Sequence, residues 1–159
     1  MEWSGCQISA NVIRNSILTN YKNFILLKQP LKTMKVHHIA ITVNNLEENI
    51  IFYTQVLGFE IAKKFAREDM GAYATFVKLN DFQIELWQFQ DMKENSNPLN
   101  DIKVRGIRHI AFEVDNLNET ISNLKEKGLE FSEPKLGASG HNYSFTSDPN
   151  GVALEFYEK

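Results

Sequence analysis

The stretch V-H-H-I-A-I-T-V-N-N-L-E-E-N, residues 36–49, decides the fold because the chain writes it twice. Its second form, I-R-H-I-A-F-E-V-D-N-L-N-E-T, occupies residues 107–120. His38-Ile39-Ala40 falls on His109-Ile110-Ala111, an offset of 109 − 38 = 71. In that register Val43, Asn45, Leu46, Glu48 and Ile50 fall on Val114, Asn116, Leu117, Glu119 and Ile121. One residue then drops out. Gly58 falls on Gly128, and F-Q-I-E-L-W (82–87) falls on V-A-L-E-F-Y (152–157), an offset of 128 − 58 = 70. Self-similarity sustained over about 50 residues marks a duplicated structural unit.

Each copy spells the same elements. An alternating strand puts His38, Ala40 and Thr42 on one face. Asn45 caps a helix, with Glu48 three residues on as its capping-box partner. Leu46, Ile50, Tyr53 and Leu57 form the helix's apolar stripe, and Gly58 ends it. Asn116, Glu119, Leu117, Ile121, Leu124 and Gly128 repeat the pattern. Three strands follow in each copy, expected near 59–67, 72–79 and 82–90, then near 129–134, 142–147 and 152–158. Leu79-Asn80-Asp81 and Asp148-Pro149-Asn150-Gly151 supply the last turn of each copy. The unit is β-α-β-β-β, and the expected fold is α+β, two tandem modules forming a cupped mixed sheet. Module one spans 35–91, a polar linker 92–104, and module two 105–159.

Residues 1–34 stand apart. Their apolar residues recur at helical spacing, and Arg14, Lys22, Lys28 and Lys32 outnumber the single acid Glu2. We read an extension with helical character ahead of Met34, with Pro30 at the junction; a transit peptide or membrane-surface helix is the alternative. Net charge is −3, which offers no basic field for nucleic acid or anionic membrane. No run of 18 apolar residues suggests a membrane span. Cys6 is the only cysteine, so no intrachain disulfide forms. A cytoplasmic location is the expectation.

The repeat also duplicates two chemical groups. His38 and Glu85 lie 85 − 38 = 47 residues apart, and His109 and Glu155 lie 155 − 109 = 46 apart. Glu85 sits between Ile84 and Leu86, and Glu155 between Leu154 and Phe156. If those neighbours face a helix-covered core, both carboxylates face the concave side of the sheet. A bare carboxylate there is costly unless paired with a cation. Taken singly, such a His or Glu is ordinary. Four of them at repeat-equivalent places suit one divalent metal per site, Zn, Ni, Co, Mn or Fe. His37 and Arg108 are expected on the opposite face in structural roles.

At this point the stretches H-H-I-A-I-T-V, F-Y-T-Q-V-L-G-F, I-E-L-W, R-H-I-A-F-E-V and D-P-N-G-V-A-L-E-F resemble signatures of the vicinal oxygen chelate superfamily, which includes glyoxalase I. The resemblance covers Lys35 to Lys159. It implies metal ligands at His38, Glu85, His109 and Glu155. Dioxygenases and fosfomycin-modifying members generally use two His and one Glu, and epimerases often carry Gln in the place of Glu85. Two His with two Glu is most like glyoxalase I. The resemblance therefore implies a divalent-metal-dependent lyase or isomerase acting on a small α-oxygenated carbonyl or thiol adduct. It would work by proton abstraction and enediolate stabilisation, with Glu155 as base and Glu85 as its mirror-related partner. The alternatives are an epimerase, a dioxygenase or a non-enzymatic, ligand-sequestering protein on the same scaffold. Thr42 departs from the arginine that bacterial-type glyoxalase I usually carries four residues after the first histidine.

Residues two away from a ligand share its face. Thr42, Trp87, Glu113 and Tyr157 are thereby expected in the substrate pocket, beside Ala40, Ala111 and Gln83, and His141 and Tyr143 from a neighbouring strand join them. Phe52, Tyr53, Phe59 and Phe65 are expected in the core, and Arg67, Glu68 and Asp69 in a solvated loop. The expected partners are a small-molecule substrate and a second copy in a homodimer, with no nucleic acid and no membrane. The linker's length favours one chain cupping one metal, and a site shared between two chains is the alternative.

Overall fold

β1 (His38–Thr42) turns Ile39 and Ile41 inward and leaves His38, Ala40 and Thr42 on the other face, as its alternation requires. The computed structural model describes residues 35–93 and 105–159. Within them His37–Lys159 form one unit. The expected 1–34 extension and residues 94–104 of the linker lie outside the described residues. Asn45 ends the first connection by accepting the Glu48 N–H at 3.1 Å, which caps α1 (Leu46–Ile51). Three strands follow: β2 (Glu60–Arg67), β3 (Ala72–Leu79) and β4 (Phe82–Phe89). Module two repeats the series as β5 (His109–Val114), α2 (Leu117–Glu126), β6 (Lys135–Leu136), β7 (Asn142–Ser147) and β8 (Ala153–Glu158). Asn116 caps α2 through the Glu119 N–H at 3.0 Å, the mirror of Asn45.

The strands make two four-stranded mixed sheets of identical order, β1-β4-β3-β2 and β5-β8-β7-β6. β1 runs parallel to β4 and β5 parallel to β8, while the other neighbours are antiparallel. β1 and β5 therefore each stand at a sheet edge. The fold is the α+β arrangement the repeat predicts.

Two elements differ from expectation. The first helix does not stay α-helical to Leu57. Residues Phe52–Val56 wind as a π-helix, with the Leu57 N–H on the Phe52 carbonyl at 3.2 Å. The wider turn buries the neighbours Phe52 and Tyr53 together. No strand forms at 129–134 as expected; a two-residue strand, Lys135–Leu136, follows instead. Upstream of it Ser132 anchors the chain instead: its N–H reaches the Phe145 carbonyl at 2.8 Å and its Oγ accepts the Phe145 N–H at 3.0 Å. Pro134 lacks the N–H that a ladder would use. Gly58 (φ +79°) and Gly128 (φ +93°) end the two helices in the left-handed region.

One core serves both modules. Val43, Ile50, Tyr53, Ile84 and Leu86 of the first pack in the same cluster as Ile110, Leu117, Ile121, Leu154 and Phe156 of the second. Phe59 meets Phe112 across the junction at 6.2 Å between ring centroids. A polar clasp fixes the docking. The buried Tyr53 hydroxyl donates to Asp148 Oδ2 at 3.0 Å. Asp148 Oδ1 accepts the N–H groups of Asn150 (2.9 Å) and Val152 (2.8 Å). Asn150 in turn accepts the Asn44 N–H at 2.9 Å and donates to Asn49, which is fully buried. Lys127, at the end of α2, donates to the Val56 carbonyl at 2.8 Å.

Asp148 is 4% exposed, and burial pushes its carboxyl pKa above the ordinary value despite three donors. A carboxyl raised on folding stabilises fully below its unfolded pKa of about 3.9, and that contribution is lost as pH rises through the folded value. Asp148→Ala leaves the Tyr53 hydroxyl and two backbone N–H groups without their acceptor. We expect a cost of roughly 3 kcal/mol, read as a lower urea midpoint. Asp148→Asn keeps the acceptor for the backbone and cannot ionise. It is expected to cost less than Ala and to lack the wild type's stability loss as pH rises from about 4.

Candidate metal centre

Both β4 and β8 are central strands whose odd-numbered residues face away from the helices. Ile84, Leu86, Leu154 and Phe156 are buried in the core, so Glu85 and Glu155 project from the opposite face. The edge strand beside each supplies the imidazole. His38 Nε2 lies 3.3 Å from Glu85 Oε2, and His109 Nε2 lies 2.9 Å from Glu155 Oε2. The carboxylates, 13% and 20% exposed, are the more enclosed partners. Phe76 packs edge-on against His38 at 5.2 Å and Phe145 against His109 at 5.5 Å, so the duplication extends to the rings that hold the ligands.

The spacing within each pair fits two ligands of one ion. Donors about 2.1 Å from a metal and subtending an octahedral or tetrahedral angle stand about 3.0–3.4 Å apart. The donor set, imidazole nitrogen with carboxylate oxygen, suits the divalent metals named above. Each module thus presents one His–Glu pair with the spacing that two ligands of one ion need. The four do not meet within one chain: among the described residues no three His, Cys, Asp or Glu stand close enough to hold one ion. This corrects the expectation, drawn from linker length, that one chain cups one metal. The physical reason is the docking just described. Tyr53, Asn49 and Val56 of module one lock onto the β7–β8 turn and the end of α2 in module two, and that arrangement leaves each His–Glu pair with its own sheet.

His37 was expected on the far face and is not there. It precedes β1, and its Nδ1 lies 2.8 Å from His38 Nδ1 while its Nε2 lies 3.2 Å from the Gln83 side chain. The Gln83 amide donates to His37 Nε2, so a neutral His37 carries its proton on Nδ1 and donates it to His38 Nδ1. His37 is a neighbour of His38 that alternation missed, because alternation does not govern a residue outside the strand. Arg108 stands at the matching place in module two.

The remaining expected pocket residues fall where the register puts them. Thr42 pairs with Trp87, and Glu113 with Tyr157. Tyr143 pairs with Tyr157 from the other side, and the His141 ring meets the Tyr157 ring edge-on at 6.2 Å. The Tyr157 hydroxyl donates to Glu113 Oε2 at 2.9 Å, and Lys159 Nζ lies 3.4 Å from Glu113 Oε1. Tyr157's hydroxyl, then Lys159, hold the Glu113 carboxyl below the usual carboxylate range, and Glu113 in turn raises the Tyr157 phenol. Phe65 is not core. It is half-buried on the Trp87 face, edge-on to that indole at 5.4 Å. Arg67, expected in a loop, is the last residue of β2, and it forms an exposed two-pronged pair at 2.9 and 2.7 Å with Asp69 in the short helical turn Glu68–Met70.

Two cavities border this geometry. One of about 960 Å³ follows the β5 edge past Ile39, Leu57 and Phe59, and includes His109 and Glu113 but not His38, Glu85 or Glu155. Another of about 940 Å³ reaches His109, Phe145 and Ala153 on the module-two face. Neither cavity contains a whole His–Glu pair. No helix among the described residues is long and apolar enough to cross a membrane.

Paired β-α-β-β-β modules with mirror-related His–Glu pairs define a class of small-molecule proteins built by duplication. The chain belongs to the Glyoxalase/Bleomycin resistance protein/Dioxygenase superfamily, whose model matches residues 35–156. It is 32% identical to the mitochondrial methylmalonyl-CoA epimerase of Dictyostelium discoideum over 130 residues, 79% of this chain and 78% of that one. It is 23% identical to the lactoylglutathione lyase of Schizosaccharomyces pombe over 143 residues, 79% of this chain and 47% of that one. The crystal structure of a glyoxalase family protein from Enterococcus faecalis superposes with a TM-score of 0.69 at 29% identity, covering 79% of this chain and 98% of that one.

Proposed function

We propose that this chain is a divalent-metal-dependent enzyme of glyoxalase I type, a lyase or isomerase that removes a proton from the carbon beside an oxygenated carbonyl. The observation that carries the reading is the pair of matched His–Glu half-sites, 3.3 and 2.9 Å within each pair, at repeat-equivalent positions of two sheets. Because the halves do not meet in one chain, a homodimer is the working unit, with module one of one copy facing module two of the other. His38, Glu85, His109 and Glu155 would hold the metal. A divalent cation bound there supplies Lewis-acid polarisation of a substrate carbonyl oxygen.

The protein's own groups do the rest. Glu155 takes the proton from the substrate carbon; its Oε2 lies 2.9 Å from His109 Nε2, the spacing of two ligands of one ion. The protonated Glu155 then returns that proton to the neighbouring carbon, and Glu85 is its mirror-related partner in the other half. Phe76 and Phe145 pack edge-on against the imidazoles and limit how they turn.

A second reading is an epimerase, favoured by the 32% identity to a methylmalonyl-CoA epimerase over most of both chains. The two readings share the proton abstraction and differ in where the proton returns. Purified protein is stripped with chelator, reloaded with Zn, Ni, Co, Mn or Fe, and incubated in D₂O with a methylglyoxal–thiol hemithioacetal or a methylmalonyl thioester. Metal-dependent deuterium uptake with conversion to a 2-hydroxyacyl thioester supports the lyase or isomerase. Uptake with racemisation and no net conversion supports the epimerase. Failure to retain any metal, with no exchange from either compound, defeats both.

A further inference from the structure

The two modules match along the row that carries the His–Glu pairs and diverge one pleat further on. Ala40, Glu85 and Phe76 answer to Ala111, Glu155 and Phe145. In the next row strand pairing sets Thr42, Trp87, Ala74 and Phe65 side by side in module one. The same row of module two reads Glu113, Tyr157, Tyr143 and Lys135. One row is almost wholly apolar, and its counterpart is polar and charged. Beyond it, Phe89 stacks on Trp87 at 5.6 Å and 13°, whereas its counterpart Lys159 pairs with Glu113.

Packing does not explain the divergence. Phe65, Trp87, Phe89 and Tyr157 are half-buried and Glu113 is exposed, so none belongs to the closed core. Trp87 is braced by Phe65 edge-on and Phe89 face-on, which fixes the indole without covering it fully. Glu113 is an acceptor-only group whose orientation is set by the Tyr157 hydroxyl. We infer that the substrate is asymmetric. Its planar apolar group lies on the Trp87–Phe65 row of one module, and its hydrogen-bond-donating group lies on the Glu113–Tyr157 row of the other. The inference rests on the proposed metal centre, because only a centre built from both modules borders both rows. A substrate with two like ends would be served by two like rows, as the ligand row itself is.

Mandelamide and lactamide test this. They share a hydroxyl and an amide and differ by phenyl against methyl. Calorimetric titration of metal-loaded protein is expected to show mandelamide binding about ten-fold tighter than lactamide. Trp87→Ala should bring that ratio to about one with lactamide affinity unchanged. Glu113→Gln should weaken both amides and keep the ratio. Metal analysis of the Trp87→Ala protein shows whether its centre is intact. The same titration on chelated protein separates the two readings: a surviving phenyl preference upholds the row assignment even if no metal centre exists. Equal affinities in the wild type, a preference that survives Trp87→Ala, or no binding of either amide to the loaded protein overturns the inference.

Discussion

Glu155→Gln is expected to lower kcat on the proton-exchange substrate by about 10²–10⁴-fold, the span that a positioned general base contributes. The substitution is nearly isosteric and keeps an oxygen beside His109, so folding and substrate affinity should change little. A loss confined to kcat and to α-deuterium uptake identifies a group acting in the transition state rather than in binding. His109→Ala makes the useful contrast, because it removes a ligand and should lower retained metal as well as rate. Glu85→Gln tests the mirror half. An effect on turnover equal to that of Glu155→Gln means the two carboxylates share the proton's path, and a much smaller effect leaves Glu155 as the base. Full activity in Glu155→Gln would show that the proton goes elsewhere.

The legible part of this chain is what the duplication repeats. Caps at Asn45 and Asn116, glycine ends at Gly58 and Gly128, and a strand alternation that pushes Glu85 and Glu155 off the core face are local rules, and local rules show in a single sequence. What did not show is tertiary. Asp148 reads as an ordinary turn residue until Tyr53 is found over it, 95 positions away in the chain. The π-turn at Phe52–Val56 has no signature of its own, since it exists to seat that tyrosine. Phe65 reads as core because aromatic residues usually are; its place on the open row depends on its register opposite Ala74. His37 reads as the wrong face because strand periodicity was carried one residue past the strand's start. Whether the two His–Glu pairs meet in one chain turns on how the modules dock, and the clasp of Tyr53, Asn49, Asp148 and Asn150 that fixes the docking leaves no local pattern in the sequence.

That docking makes the second large prediction, which is all-or-none. One chain is made with His38→Ala and Glu85→Ala, the other with His109→Ala and Glu155→Ala. Each alone has lost one half of every centre, so each homodimer should hold no metal and show no turnover. If centres form between module one of one copy and module two of the other, a mixed dimer contains one centre with both halves destroyed and one with both intact. Random exchange of equal amounts then makes half of the dimers mixed, and about a quarter of the wild-type metal and activity should return. If instead each chain held its own centre, every centre in the mixed dimer would still lack two ligands and nothing would return. Two affinity tags that isolate the mixed dimer sharpen the contrast to about half against zero. The outcome does not depend on knowing the physiological substrate, because bound metal alone reports it. It also bears on why the edges of β1 and β5 stay open in the single chain: they flank the half-sites, and closing them against a partner is what would bring imidazole and carboxylate from both modules to one ion.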